Sequence, residues 1–182
     1  NQGMGTPRNP WDMNTARIPG GSSSGSGVAV AAGMAAGAVG TDTGGSVRIP
    51  ASFCGITGLK TTPGLISRHG VVGLSHTLDT VGPMAASAED AALMLQVMHG
   101  PDPLDPETLR IPAQDFLGSL HDSIEGLRFS VLAETLWRPR NPELAGRIDD
   151  TCALLEHLGC LRTRSPQPHL DPAAFAAHQK QR

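Results

Sequence analysis

Apolar and polar positions divide this chain into stretches of different periodicity. Residues 1–19 show none: Pro7, Asn9-Pro10 and Pro19 punctuate a polar run, which predicts a loop or extended lead-in. Gly25–Gly37 is dominated by Ala, Val and Gly and predicts a helix that packs very close to its neighbours. Residues 61–100 alternate short apolar runs with glycine and end in a second helix. There Ser87-Ala88-Glu89-Asp90 has the form of a capping box, with Asp90 reaching back to Ser87. Ala91, Leu93, Met94, Leu95, Val97 and Met98 give that helix a broad apolar face, and His99-Gly100-Pro101 stops it. Leu127–Leu132 alternates like a strand. Pro142–Leu158 reads as an amphipathic helix with Leu144, Ile148, Cys152, Leu155 and Leu158 on one side, ended by Gly159. A further strand and the start of a last helix follow. Strand, helix and strand at that spacing form a βαβ unit and favour an α/β fold class.

Between these stretches, residues 101–126 are rich in Pro and Asp and read as a surface connection, since Pro101, Pro103 and Pro106 forbid a regular ladder. The organisation is therefore a motif-bearing core at 1–100, a connection at 101–126 and a βαβ-like segment at 127–182.

Composition narrows the function classes. The chain has 182 residues, a net charge of −3 and 3% aromatic residues, so neither a basic field nor a stacking surface points to direct nucleic-acid binding. No apolar run approaches the roughly 18 residues that span a bilayer. Three scattered cysteines, Cys54, Cys152 and Cys160, fit a reducing compartment and a cytoplasmic location better than a disulfide framework. The start at Asn1 shows neither an initiator methionine nor a signal-peptide pattern, and it raises the expectation of a partial sequence. His69, His76 and His99 share no metal-ligand spacing with any cysteine, so neither a metal nor another cofactor is expected. Met84, Met94 and Met98 read as core filler, Cys54 as a buried free thiol and Trp11 as packing for the lead-in.

The unusual chemistry lies in two pieces, Gly20-Gly21-Ser22-Ser23-Ser24-Gly25-Ser26-Gly27 and Gly40-Thr41-Asp42-Thr43-Gly44-Gly45-Ser46-Val47-Arg48-Ile49-Pro50-Ala51. A flexible Gly/Ser linker would not run on into an Ala/Val helix and a tight Thr-Asp-Thr-Gly-Gly-Ser turn. A phosphate-binding loop fails because Ser26 stands where its lysine belongs. A dinucleotide fingerprint fails because Val30 replaces the third glycine. A nucleophile elbow around Ser23 lacks a preceding strand.

Taken whole, Gly20–Ala51 resembles the diagnostic segment of the amidase signature family. Gly20, Ser22, Gly25, Gly27, Gly40, Asp42, Gly44, Ser46, Arg48 and Pro50 meet its spaced positions. The flanks Gly5–Asp12, Cys54–Gly64, Ser67–Gly70 and Leu78–Met84 extend the likeness to about residue 100. The resemblance implies an α/β/α architecture with a mixed sheet, incomplete here because the family's domain is far longer, so that 1–182 form part of a single amidase domain.

The resemblance also implies a Ser-Ser-Lys triad that cleaves carboxamide C–N bonds through an acyl-serine. Ser46 would be the nucleophile and Ser22 the bridging serine, joined to Gly21 by a cis peptide. A serine hydroxyl needs a base to take its proton, and a lysine serves only if its site disfavours the ammonium. Backbone amides of Thr43, Gly44, Gly45 and Ser46 would supply an oxyanion hole. Asp42 and Arg48 would brace that loop, with Ser23 and Thr41 in support. The family's lysine lies well upstream of the first serine. This chain has only Lys60 and Lys180, and neither holds that position. The base is thus expected outside these residues, and the isolated chain is expected to be inactive.

Implied partners are a small-molecule amide and, beyond that, a second copy or amidotransferase subunits. A stand-alone amidase is the first reading, because Ile49 replaces the glutamine usual in Arg-Gln-Pro-Ala of tRNA-dependent amidotransferase subunits. The rivals are that glutamine-hydrolysing subunit, a catalytically incomplete fragment and, third, a phosphate- or nucleotide-binding module, which the missing phosphate-loop lysine weakens.

Overall fold

A computed structural model describes residues 5–131 and 141–163. The chain divides into two compact units, Asn1–His121 and Asp122–Arg182.

The first unit opens with an irregular lead-in and continues with α1 (Ser24–Ala31), β1 (Gly37–Asp42), α2 (Arg48–Cys54), β2 (Thr57–Gly58), β3 (Thr80–Ala85) and α3 (Ala88–Met98). A 3₁₀ turn, Thr108–Arg110, lies in the connection that follows. The strands form an antiparallel sheet in the order β1-β3-β2, with Gly40 opposite Gly82 and Thr57 opposite Ala85. All six residues of the central strand β3 are buried. Pro83 sits there without breaking a ladder. Its carbonyl faces the β2 side, where it accepts from Leu59 N at 3.0 Å, so its missing N–H falls past the end of that two-residue strand.

Two apolar clusters hold the sheet. Val47, Ala51 and Met84 pack with Ile56 between α2 and β3. Leu65, Ile66, Val81 and Leu95 pack with Leu59, Met98, Ile111 and Phe116. Cys54 is fully buried and free. Trp11 is largely exposed, but its indole N–H donates to the Cys54 carbonyl at 2.6 Å and ties the lead-in to the end of α2.

Helix limits follow local chemistry. α1 stops at Ala31, short of the expected Gly37, because Gly33 adopts φ +70° and turns the chain toward β1. Ser87 caps α3 by accepting from Asp90 N at 3.0 Å. Its hydroxyl also donates to the Asp90 carboxylate at 2.7 Å, a side-chain version of the expected reciprocal bond. The apolar face of α3 is narrower than its sequence predicts: Ala91 and Leu95 are buried, while Leu93 and Val97 are exposed.

The second unit contains β4 (Arg128–Phe129), α4 (Pro142–His157) and β5 (Leu161–Arg162). β4 and β5 pair in parallel, Arg128 opposite Leu161, which gives the expected βαβ unit. Asn141 caps α4 by accepting from Glu143 N at 2.9 Å, with Pro142 in the first turn. Gly159 ends the helix region at φ +87°. Of the expected apolar side of α4, Cys152 is buried, Ile148 and Leu155 are half-buried, and Leu144 and Leu158 are exposed. The strand expected over Leu127–Leu132 is shorter, and its last residue lies outside the described residues, as does the final helix start. The fold class is mixed α/β.

Candidate active site

β1 delivers Asp42 to the end of the sheet, and the chain turns through Thr43–Ser46 before α2 begins. Asp42 organises that turn. Its side chain is fully buried and accepts from Gly45 N at 2.7 Å, Val47 N at 3.1 Å and Arg48 N at 3.3 Å. The Arg48 guanidinium adds Nε at 3.0 Å and Nη2 at 2.9 Å, one to each carboxylate oxygen. Burial pushes the Asp42 carboxyl up, but the hydrogen bonds from Arg48 and from the Val47 and Gly45 amides outweigh it. The carboxyl is held well below the ordinary range. This is the usual way to keep a buried carboxylate charged: satisfy every oxygen lone pair.

Gly45 lies at φ +128°, a backbone conformation that favours glycine. The Gly45 amide is taken up by the Asp42 carboxylate. The amides of Thr43, Gly44 and Ser46 have no protein acceptor among the described residues.

The first serine segment comes alongside through Ser23. Its amide donates to the Ser46 carbonyl at 3.1 Å, and its hydroxyl accepts from Thr41 N at 3.2 Å and faces the Thr41 carbonyl at 3.4 Å. The Gly21–Ser22 peptide is cis, as the resemblance implies. Ser22 is exposed and Ser46 half-buried. No hydrogen bond joins the two hydroxyls directly among the described residues; the backbone bond from Ser23 links the segments. Catalytic hydrogen bonds are often longer or unformed without substrate. Ser22, Thr41 and Thr43 line a pocket of about 110 Å³ together with Val72, Leu74 and Asp79.

Two participants escape sequence reasoning. The Asp79 carboxylate accepts from the Thr43 hydroxyl, and Arg68 borders the pocket while donating to the His76 carbonyl. Both stand in flanks that carry the resemblance, but nothing local assigns them a role. Lys60 Nζ donates to the neighbouring Thr61 carbonyl at 2.9 Å, and Lys180 lies outside the described residues. Among the described residues no group of three His, Cys, Asp or Glu is placed to hold a metal ion, and no helix is long and apolar enough to cross a membrane.

A buried carboxylate thus folds the Gly-Gly-Ser turn, and the Ser23 amide holds a second serine segment beside it. The family model described as Amidase matches residues 1–176, and the chain belongs to this family of amidase signature enzymes. The A subunit of glutamyl-tRNA(Gln) amidotransferase from Coxiella burnetii is 44% identical over 176 residues, covering 97% of this chain and 36% of that protein. The chain thus spans about a third of the length of the curated relatives it matches. The crystal structure of the A subunit of glutamyl-tRNA(Gln) amidotransferase from Thermotoga maritima superposes with a TM-score of 0.82 at 36% identity, over 97% of this chain and 41% of that one. The peptide amidase of Stenotrophomonas maltophilia superposes with a TM-score of 0.76 at 37% identity, over 87% and 32%.

Proposed function

We propose that residues 1–182 are part of one amidase domain and carry the nucleophile of an enzyme that cleaves carboxamide C–N bonds. Ser46 Oγ attacks the carbonyl carbon, and its proton passes to Ser22, whose own proton goes to a neutral lysine supplied by chain outside these residues. The oxyanion is met by the amides of Thr43, Gly44 and Ser46. Collapse expels ammonia or an amine, which takes the proton, and water then hydrolyses the acyl ester to free the carboxylate.

The observation that carries this reading is the Ser23 N–H to Ser46 carbonyl bond, 3.1 Å long, because it holds the Ser22 segment against the Ser46 turn. Without the lysine the 182-residue chain has no base for Ser22, so it is inactive alone. The reading needs no metal or organic cofactor. Its three free cysteines accord with a reducing, cytoplasmic setting.

A second reading, the glutamine-hydrolysing subunit of a tRNA-dependent amidotransferase with partner subunits, is favoured by the 44% identity to such subunits. Ile49 favours the stand-alone enzyme. The discriminating experiment assays the full-length protein on aliphatic, aromatic and ureido amides and on glutamine, with Ser46→Ala as control. Turnover of simple amides, abolished in Ser46→Ala, supports the amidase. Turnover of glutamine alone supports the amidotransferase reading. Turnover that survives Ser46→Ala rejects both.

A further inference from the structure

The turn at residues 74–79, which lines the same pocket as Ser22, is built around one carboxylate. Asp79 is buried. Its Oδ2 accepts from Leu74 N at 2.7 Å and Ser75 N at 2.9 Å, which folds residues 74–79 into a closed turn. Its Oδ1 accepts from the Thr43 hydroxyl, 36 residues away. The next residue repeats the tie, since Thr80 Oγ1 donates to the Asp42 carbonyl at 3.0 Å. Arg68 holds the same turn from outside: Nη1 donates to the His76 carbonyl at 2.7 Å and reaches the Asp79 carbonyl at 3.4 Å, while Nη2 donates to Glu107 at 2.6 Å.

The Thr43–Ser46 turn is therefore fixed at two points by different carboxylates. Asp42 grips Gly45, Val47 and Arg48, while Asp79 grips Thr43. Among the described residues Asp42 makes no bond to Thr43, and the Thr43 amide has no acceptor. No sheet bond sets the direction of that amide either, because its residue lies just past the last sheet pair, Asp42 with Thr80.

We infer that Asp79 is a positioning residue for the reaction: through the Thr43 side chain it aims the Thr43 and Gly44 amides at the acyl oxygen bound on Ser46. The inference rests on the acyl-Ser46 reading. An oxyanion donor works only if held at its final position before the charge forms, and a shift of about 1 Å can cost roughly 100-fold in rate. The hydroxyl of Thr43 is the handle and the Asp79 carboxylate the fixed point. Thr43→Val removes the handle with little change in shape, and Asp79→Ala removes the fixed point.

The test uses the full-length enzyme and the best amide from the panel. Thr43→Val lowers kcat by roughly 10- to 100-fold with KM and melting temperature nearly unchanged, and Thr43→Ser keeps kcat within about 3-fold of the parent. Asp79→Ala loses as much, and the Thr43→Val/Asp79→Ala double variant is no worse than the poorer single one, because both cut one link. If Asp79→Ala does not fold, Thr43→Val and Thr43→Ser decide alone. A Thr43→Val enzyme with parental kcat, a Thr43→Ser enzyme as slow as Thr43→Val, or losses that multiply in the double variant overturns the inference. Ser46→Ala is run beside them. If it retains activity, the acyl-serine reading has failed; if it is dead while Thr43→Val is normal, only the role of Asp79 has.

Discussion

Arg48 meets Asp42 edge to edge, with Nε 3.0 Å from one carboxylate oxygen and Nη2 2.9 Å from the other. The partnership is uneven: the Asp42 side chain is 0% exposed and that of Arg48 is 52% exposed. The buried partner carries the structural weight, because three backbone amides also depend on it. Asp42→Ala leaves those amides without an acceptor and is expected to cost about 3 kcal/mol or more in urea unfolding. Arg48→Lys keeps a charge but loses the two-pronged geometry, and is expected to cost about 1 kcal/mol.

The same carboxylate sets an acid limit. The folded Asp42 ionises well below its unfolded counterpart, whose pKa is about 3.9. The folded state therefore binds fewer protons, and the stabilisation is complete above about pH 4 and drains away as pH falls through the lower folded value. Asp79 is shifted in the same direction, first by the Thr43 hydroxyl and then by the Ser75 amide. Unfolding free energy measured from about pH 7 down to about pH 2 is expected to fall steeply below about pH 4, and Asp42→Asn is expected to flatten that limb. Arg17, followed by the Thr15 amide, holds Asp12 at about 2, but the Arg17 side chain is exposed and solvent screens the pair, so its removal is expected to change the profile less than Asp42→Asn does.

Gly20 is required by space as well as by φ. It lies at φ +80°, and a Cβ there would stand 2.9 Å from Pro50 Cα and N, in the backbone of α2. Gly20→Ala is expected to cost at least about 1–2 kcal/mol. Gly25→Ala is the contrast: it is a helical position with nothing within 4 Å of the added carbon, so a gain of about 0.5–1 kcal/mol is expected. Thermal melting of the two variants checks the pair.

Ser87 accepts from the first turn of α3 through its side chain. Ser87→Ala is expected to destabilise the unit by about 1 kcal/mol, read as a lower urea midpoint with unchanged slope.

Much of the site can be read from the chain because its chemistry is local. Asp42 and Arg48 stand on one turn, and the Gly-Gly-Ser run between them has few conformations open to it. The capping serine Ser87 and the helix-ending Gly159 are legible for the same reason. The tie from Asp79 to Thr43 crosses 36 positions and depends on β1 lying beside β3, which no local pattern specifies. The direction of the Gly45 amide is hidden too: a glycine run says that a backbone turns tightly, not which way each N–H points. Helix α1 is shorter than its composition predicts because Ala-Gly runs carry no periodicity to mark where Gly33 leaves the helix. The apolar faces of α3 and α4 are narrower than their patterns predict because Leu93, Val97, Leu144 and Leu158 remain exposed in their units.

The most direct measurement is covalent capture of the nucleophile. The full-length protein is treated with a fluorophosphonate probe and the labelled peptide is located by mass spectrometry. The adduct is expected on Ser46, lost in Ser46→Ala and slowed in Ser22→Ala. An adduct on Ser23, with Ser46→Ala still labelled and still active, would contradict the assignment of the nucleophile.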